Sequence, residues 1–425
     1  MTDLHERLDE LKELGLYRRM RMISGPQGPR VVLDGKPVLL LCSNNYLGLA
    51  DHPRVREAAA DAAMRWGVGA GASRLVSGTM TIHRRLEERL AAFEHGEAAL
   101  LFGSGYLANV GVVTALAGSG TVVFSDELNH ASIVDGCRLA KADTFVYQHA
   151  DVEHLAWGLR KAEGRGSVIV TDAVFSMDGD VAPLQEIVEL ARLHDARVVV
   201  DEAHGTGCMG PGGRGAVHEA GLEGEVDVVV GTLGKALGAY GAYVVCEQAM
   251  AQLLVNTARP FIFSTAPPPP AAAGALAALG LLEEQPHRID KLQANADVLR
   301  DELAKEGFSV AGSTTQIVPL VVGDARVAMR ICELAIEQGV FAQAIRPPTV
   351  PEGTSRLRLA VMASHTKAEL RDAAHVLGRA ALQAGFRPGT GVPVIAAREA
   401  AAESAAGAAA GAGPFDFEAD VPQAA

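Results

Sequence analysis

Arg197-Val198-Val199-Val200-Asp201-Glu202-Ala203-His204 and Val226-Asp227-Val228-Val229-Val230-Gly231-Thr232-Leu233-Gly234-Lys235 decide the fold. Each is a short valine-rich run that breaks into polar and small residues. Strands covered on both faces read as near-continuous apolar runs, so these two belong to a largely parallel sheet. The groups that follow them then sit at the carboxyl ends of strands, where open α/β sheets bind ligands.

Working outward, Leu100–Phe102, Val122–Phe124 and Val168–Thr171 are further strand candidates, and helical patterns alternate with them from about Asp51 to Ala266. That alternation predicts an α/β fold, a mostly parallel central sheet with helices on both faces. Upstream, Leu4, Leu8, Leu11 and Leu14 recur at helical spacing before Gly15, and Asp34-Gly35 is a hairpin signal within Val31–Leu41. Pro267–Pro270 reads as a connector, since proline continues neither a helix nor a central strand. Beyond it come an Ala/Leu helix and a second α/β region with strands near Ile317–Val322, Val340–Ile345 and Leu357–Val361. The chain thus divides into an N-terminal arm (1–50), a large domain (51–280), a smaller C-terminal α/β domain (281–388) and an Ala/Gly-rich tail (389–425) expected to be disordered.

The 425 residues are 48% apolar and 21% charged, as in ordinary globular proteins, and the net charge of −13 gives a nucleic-acid role no support. Five scattered cysteines without a CxxC pair argue against a disulfide scaffold or zinc site and fit a reducing, cytoplasmic setting. Met1–His5 lacks the basic and apolar regions of a secretory signal, and the apolar stretch Ala271–Leu282 is too short to span a bilayer. No metal site is expected, because none of the 13 histidines has ligand spacing.

Most lysines lie on the surface. Lys235, set among small residues after a buried strand, would instead be partly desolvated, which lowers its pKa and makes it nucleophilic. A P-loop is rejected, because the glycine spacing is too short and Ala236 follows the lysine. Asp201 reads either as a helix N-cap or as a carboxylate that keeps a pyridine nitrogen protonated. His204 could meet the cofactor's phenolic oxygen or orient Asp201. Gly103-Ser104-Gly105-Tyr106 reads either as a tight turn or as an anion site at a helix start, with the helix over Leu107–Leu116. A Schiff-base lysine and a carboxylate are the minimal equipment for pyridoxal 5′-phosphate (PLP) chemistry. Gly67–Ala72 follows a helix rather than a strand, so it is no dinucleotide fingerprint and reads as a flexible loop near the site. His130 and Ser176 lie in loops after strand candidates.

The chain resembles the α-oxoamine synthase family of fold-type I PLP enzymes over roughly residues 1–385. The resemblance rests on Ser43–Leu49, Gly71–Leu75, Ser77-Gly78, His83–Glu87, Gly105–Asn109, Asn129–Ser132, Val174–Asp180, Asp201–Gly205 and Thr232–Lys235. Gly234, where serine is common, and the tail depart from the family pattern. The resemblance implies that Lys235 carries the Schiff base and acts as the base. Asp201 pairs with the pyridinium nitrogen, and His130 stacks on the ring. Ser176 and His204 meet the phenolic oxygen, and the amides of Gly105 and Tyr106 hold the phosphate with Thr232. Arg358 and Asn44 take the amino-acid carboxylate, while Arg18 (or its neighbours Arg19 and Arg21) and Thr349 take the acyl substrate. It also implies a homodimer with Ser264-Thr265 reaching across. Ala344–Pro351 and Gly353–Leu359 are similar to the member that condenses L-alanine with a pimeloyl thioester, on CoA or on a carrier protein. Glycine-using members, a member using another acyl-CoA and a catalytically silent partner subunit are the alternatives. A silent subunit should lack a lysine like Lys235.

Overall fold

A computed structural model of the chain describes residues 3–310 and 312–389. The disorder expected of the tail falls outside them from residue 390 on. After a helix over Leu4–Glu13 come β1 (Ile23–Ser24), β2 (Arg30–Leu33) and β3 (Lys36–Leu40). The expected hairpin joins β2 to β3, with Asp34 at φ 48° and Gly35 at φ 84°. Positive φ at both central residues gives a turn whose twist matches that of the strands.

The central sheet is built from β4 (Ala98–Phe102), β5 (Thr121–Asp126), β6 (Asp143–Tyr147), β7 (Gly166–Asp172), β8 (Arg197–Asp201), β9 (Val228–Thr232) and β10 (Ala242–Cys246). Its order is β4-β10-β9-β8-β7-β5-β6, and β10 runs antiparallel to both of its neighbours. The valine runs serve both faces. Val199, Val228 and Val230 pack with helices Gly105–Leu116, Ala131–Ala140 and Gln248–Thr257. Val198 and Val200 face the opposite way, toward Val152–Lys161 and Leu184–Leu193. Side chains alternate along a strand, so an unbroken apolar run means two covered faces.

Several expectations are corrected. β9 begins at Val228 rather than Val226, because Asp227 turns back to accept from the amide of Val198 at 2.8 Å. Gly231 and Thr232 therefore lie inside the strand. β6 and β10 had no sequence signal: β6 is an edge strand with alternating exposure, and β10 contains alanine and cysteine where valine was the guide. The helix expected from Leu107 begins at Gly105. Pro269 and Pro270 open the helix Pro269–Glu284 instead of ending the connector. The first turn tolerates proline, since its amides have no intrahelical partner.

The C-terminal region supplies a helix over His287–Lys305, β11 (Ile317–Gly323), a helix over Ala325–Glu337, β12 (Val340–Phe341), β13 (Gln343–Ile345), β14 (Ser355–Ala360) and a helix over Lys367–Gln383. The single strand expected at Val340–Ile345 is split. β12 pairs in parallel with β3, placing Val340 opposite Leu39, whereas β13 pairs with β14 in the sheet β11-β14-β13.

Gly231 is the tightest point behind the site. A Cβ there would lie 2.1 Å from Cζ of Tyr243, whose hydroxyl is fixed by Glu94 at 2.6 Å and Thr206 at 3.0 Å. The Tyr243 ring has no open space to retreat into, so Gly231→Ala is expected to destabilise the protein by at least ~1–3 kcal/mol through overpacking. Denaturant unfolding of the two proteins measures it.

Candidate active site

β4, β5, β7, β8 and β9 all point their carboxyl ends to one edge of the sheet. Lys235 leaves β9 in a loop closed by Leu233 N to Gly241 O (2.9 Å) and Gly238 N to Lys235 O (3.0 Å). Gly238, at φ 59°, lies against the backbone of Leu49-Ala50, where a Cβ would come within 2.4 Å of Ala50 N. Lys235 is half-buried, and its Nζ is 2.8 Å from Nε2 of His204. Burial lowers the amine to about 8, against the opposing pull of Asp201 and Asp172.

Asp201 ends β8 directly beside Asp172 at the end of β7. Asn109 Nδ2 donates to one Asp201 oxygen at 2.6 Å and the amide of Ala203 to the other at 2.8 Å. His204 does not orient Asp201: its ring nitrogens meet Tyr46 Oη at 2.7 Å and Lys235 Nζ. Burial, with Lys235 and Arg358 nearby, pushes His204 well below the usual histidine range and keeps it neutral. Asp172 is pushed well up by burial and by Asp201. The amide of His130 donates to Asp172 at 2.8 Å, and the His130 ring caps the next helix through Ser132. His130 is also lowered, chiefly by burial.

Ser104 caps the helix Gly105–Leu116, accepting from Leu107 N at 3.2 Å. The first-turn amides of Gly105 and Tyr106 have no intrahelical partner, and their helix starts just past the carboxyl end of β4, at the sheet edge where Thr232 ends β9. Thr232 Oγ1 accepts from Gly234 N and donates to Gly241 O, both at 3.2 Å. The Tyr106 hydroxyl binds Asp135. Thr265 bridges to Ser73, and Ala266 N donates to Ala72 O at 3.0 Å. The loop expected to be flexible at Gly67–Ala72 is therefore pinned at its end. Buried Arg74 and Glu87 pin the following turn by paired bonds of 2.7 and 3.0 Å.

Arg358, on β14, is buried and has no carboxylate partner among the described residues. Its guanidinium donates to Asn44 Oδ1 (3.1 Å), Tyr46 Oη (3.3 Å) and the Ser176 carbonyl. Arg356 by contrast is consumed by Asp178. Arg346 donates to the carbonyls of Gly15 and Tyr17 and so docks the arm. That docking lays Arg18 against Pro347 O at 3.3 Å, beside exposed Thr349. Of the three candidate arginines, Arg19 and Arg21 pair with Glu333, whereas Arg18 has no carboxylate partner among the described residues.

Sequence reading missed Tyr46, Asn109, Asp172 and His149. Asp172 was legible as the residue ending the Val168–Thr171 run, just as Asp201 ends its own. Tyr46 and Asn109 fall inside motif segments, but no role of their own was read for either. His149 bridges Asp126 (3.0 Å) and Asp180 (2.6 Å), holding the Ser176 loop to β5. Burial opposes its charge, but the two carboxylates outweigh that and raise it to about 9. Elsewhere, His95, His218 and Glu223 bring ligand-type atoms within 4.8 Å of one another. There His218 lies between Glu94 and Glu223, and these carboxylates raise its pKa despite burial. Among the described residues no helix is long and apolar enough to cross a membrane.

Residues 36–377 match the family model for class I and II aminotransferases. The chain is 52% identical over 380 residues to the 8-amino-7-oxononanoate synthase of Citrifermentans bemidjiense, covering 89% of this chain and 97% of that protein. It is 51% identical over 382 residues to the enzyme of the same name from Geobacter sulfurreducens, covering 89% and 98%. Among solved structures it is similar to the serine palmitoyltransferase of S. paucimobilis with a bound PLP–myriocin aldimine. The TM-score there is 0.86 and the identity 32%, covering 90% of this chain and 97% of that one.

Proposed function

The chain belongs to the class I and II aminotransferase family, alongside 8-amino-7-oxononanoate synthases, and we propose that it condenses L-alanine with a pimeloyl thioester. The products are 8-amino-7-oxononanoate, CO2 and the free thiol, a step of biotin synthesis. The cofactor is PLP. The observation that supports this reading best is the link from a lowered amine, Lys235, through His204 and Tyr46 to a buried guanidinium, Arg358, that has no carboxylate partner among the described residues. A buried unpaired cation awaits an anion.

The residues fit the cofactor. Lys235 offers the amine that bonds its aldehyde carbon. Asp201 offers a carboxylate for its pyridine nitrogen, and Asn109 holds that carboxylate in place. His130 supplies a ring to stack, and His204 and Ser176 would meet its phenolic oxygen. The amides of Gly105 and Tyr106, with Thr232 and Thr265, suit its phosphate. When bound, PLP supplies the electron sink that makes the α-carbon of the amino acid acidic. Arg358 and Asn44 orient the carboxylate of alanine, and Lys235 takes the α-proton. A base near neutrality is matched to that task. Arg18 and Thr349 receive the acyl chain, and the guanidinium of Arg18, which has no carboxylate partner among the described residues, suits the distal carboxylate of a pimeloyl group.

A homodimer is part of the reading. It is supported by the helix Leu4–Glu13, which buries none of its residues, and by exposed Met64, Val68, Val76 and Phe263 close in sequence to the Ser73–Thr265 bridge. Sedimentation of the purified protein tests it. So are a large cofactor-binding domain (51–280), a smaller domain (281–388) built on the sheet β11-β14-β13, and a cytoplasmic setting, which the unbonded cysteines fit.

The deciding experiment offers the holoenzyme alanine, glycine and serine against pimeloyl-CoA and octanoyl-CoA. Alanine with pimeloyl-CoA should give the highest kcat/KM. Arg18→Ala should lower kcat/KM for pimeloyl-CoA about tenfold or more, the scale of one charge-assisted hydrogen bond, and leave octanoyl-CoA unaffected. Equal use of both thioesters by the wild type would reject the pimeloyl reading.

A further inference from the structure

We propose that Tyr46 is a positioning residue that ties the carboxylate-binding pair Asn44 and Arg358 to the proton on Lys235, through a hydrogen-bonded chain that can run in either of two directions. The inference rests on reading Lys235 as the base. The chain consists of Asn44 Oδ1 to Tyr46 Oη at 3.0 Å, Tyr46 Oη to His204 Nδ1 at 2.7 Å and His204 Nε2 to Lys235 Nζ at 2.8 Å. Arg358 Nη2 also donates to Tyr46 Oη, at 3.3 Å. Tyr46 and His204 are buried, so the central link of the chain is shielded from water.

The hydrogen count makes the chain bistable. His204 is kept neutral by burial and by Lys235 and Arg358, so its ring carries one N–H. Tyr46 is held as a phenol, pushed up to about 12 by burial, and has one O–H to give. While Lys235 is an ammonium it donates to Nε2. The ring proton must then sit on Nδ1 and point to the Tyr46 oxygen, and the hydroxyl turns to Asn44. Once Lys235 has lost its proton, its nitrogen gains a lone pair, so the ring proton can move to Nε2 and donate to the amine. Nδ1 then accepts from Tyr46, and the hydroxyl hydrogen leaves Asn44. Only Lys235 changes its proton count. Asp201, Asp172, Arg358 and Cys208 face Lys235, and His130 and Arg358 face His204. These groups set where Lys235 titrates, but among the described residues Tyr46 alone meets Nδ1. Its hydroxyl donates or accepts as required, which phenylalanine cannot do.

Nitrogen-15 histidine spectra of the PLP-free chain test the chain of bonds directly, with the His204 signals assigned by their loss in His204→Gln. In the wild type the His204 proton should pass from Nδ1 to Nε2 as pH rises from 6 to 10, with a midpoint near 8. Lys235→Met should abolish that change. A single His204 tautomer across the range in the wild type would overturn the proposal. In the holoenzyme, Tyr46→Phe keeps the ring and should fold, with a fall in melting temperature because His204 Nδ1 loses its buried partner. It should slow exchange of the alanine α-hydrogen at saturating alanine by ~10-fold or more, a larger effect than on the KM for alanine. Wild-type exchange in Tyr46→Phe would equally overturn it. If the wild-type holoenzyme exchanges no α-hydrogen, the proposed function fails instead, and the PLP-free spectra still judge the chain of bonds.

Discussion

Lys235→Ala is expected to abolish turnover, by at least ~10³-fold, within the range that general acid–base contributions reach. On the proposed reading, the substitution removes the amine that bonds the cofactor's aldehyde carbon and also the base that takes the α-proton. It does not touch the cofactor's other holders, since the first-turn amides of Gly105 and Tyr106 are backbone groups and Thr232 is fixed by Gly234 and Gly241. PLP should therefore still bind, while the visible absorbance of lysine-bound cofactor disappears. Fold stability should not fall, because the ammonium sits in a site where burial already disfavours its charge. A mutant that turned over at the wild-type rate would remove Lys235 from the chemistry.

Asp201→Asn is expected to slow exchange of the alanine α-hydrogen into deuterated water by ~10²-fold or more, the scale of losing one preorganised electrostatic partner. The side chain keeps its size but loses the charge that, on the proposed reading, would hold a pyridine nitrogen protonated. The surrounding network can absorb the change. Asn109 Nδ2 now donates to both Asp201 and Ser132, and its Oδ1 has no partner. A flipped Asn109 amide would accept from the new side-chain NH2 and from the Ser132 hydroxyl, so stability should change by no more than ~1 kcal/mol. Undiminished exchange in a folded, PLP-loaded mutant would sink the assignment.

The parallel core was legible because double-sided burial writes itself as valine after valine, and Lys235 and Asp201 were legible because they stand where such runs stop. What escaped reading depends on partners far apart in sequence. β12 is only two residues long and exists because β3 offers it an edge. β10 is defined by pairing to β4 and β9, not by its own composition. Asn109 lies on a helix with apolar residues all round, and only the fold shows that it meets Asp201, 92 residues away in the chain. Tyr46 was visible as part of a motif, but a tyrosine next to Leu47 and Leu49 has no local sign of which way its hydroxyl points.

The split of Val340–Ile345 gives the molecule a clasp. Val340 and Phe341 are stitched to β3 of the arm and, past Ala342, Gln343–Ile345 to β14, which carries Arg358. Arg346 follows at once and grips the arm a second time, at Gly15 and Tyr17. Arg18 and Arg358 are thereby mounted on one body, although 340 positions of sequence separate them. A rocking of that body against the central sheet would carry both guanidinium groups toward or away from Lys235 together, with the span between them held constant. The two ends of the reaction, an amino acid at one cation and an acyl chain at the other, would thus be gauged by a single rigid caliper.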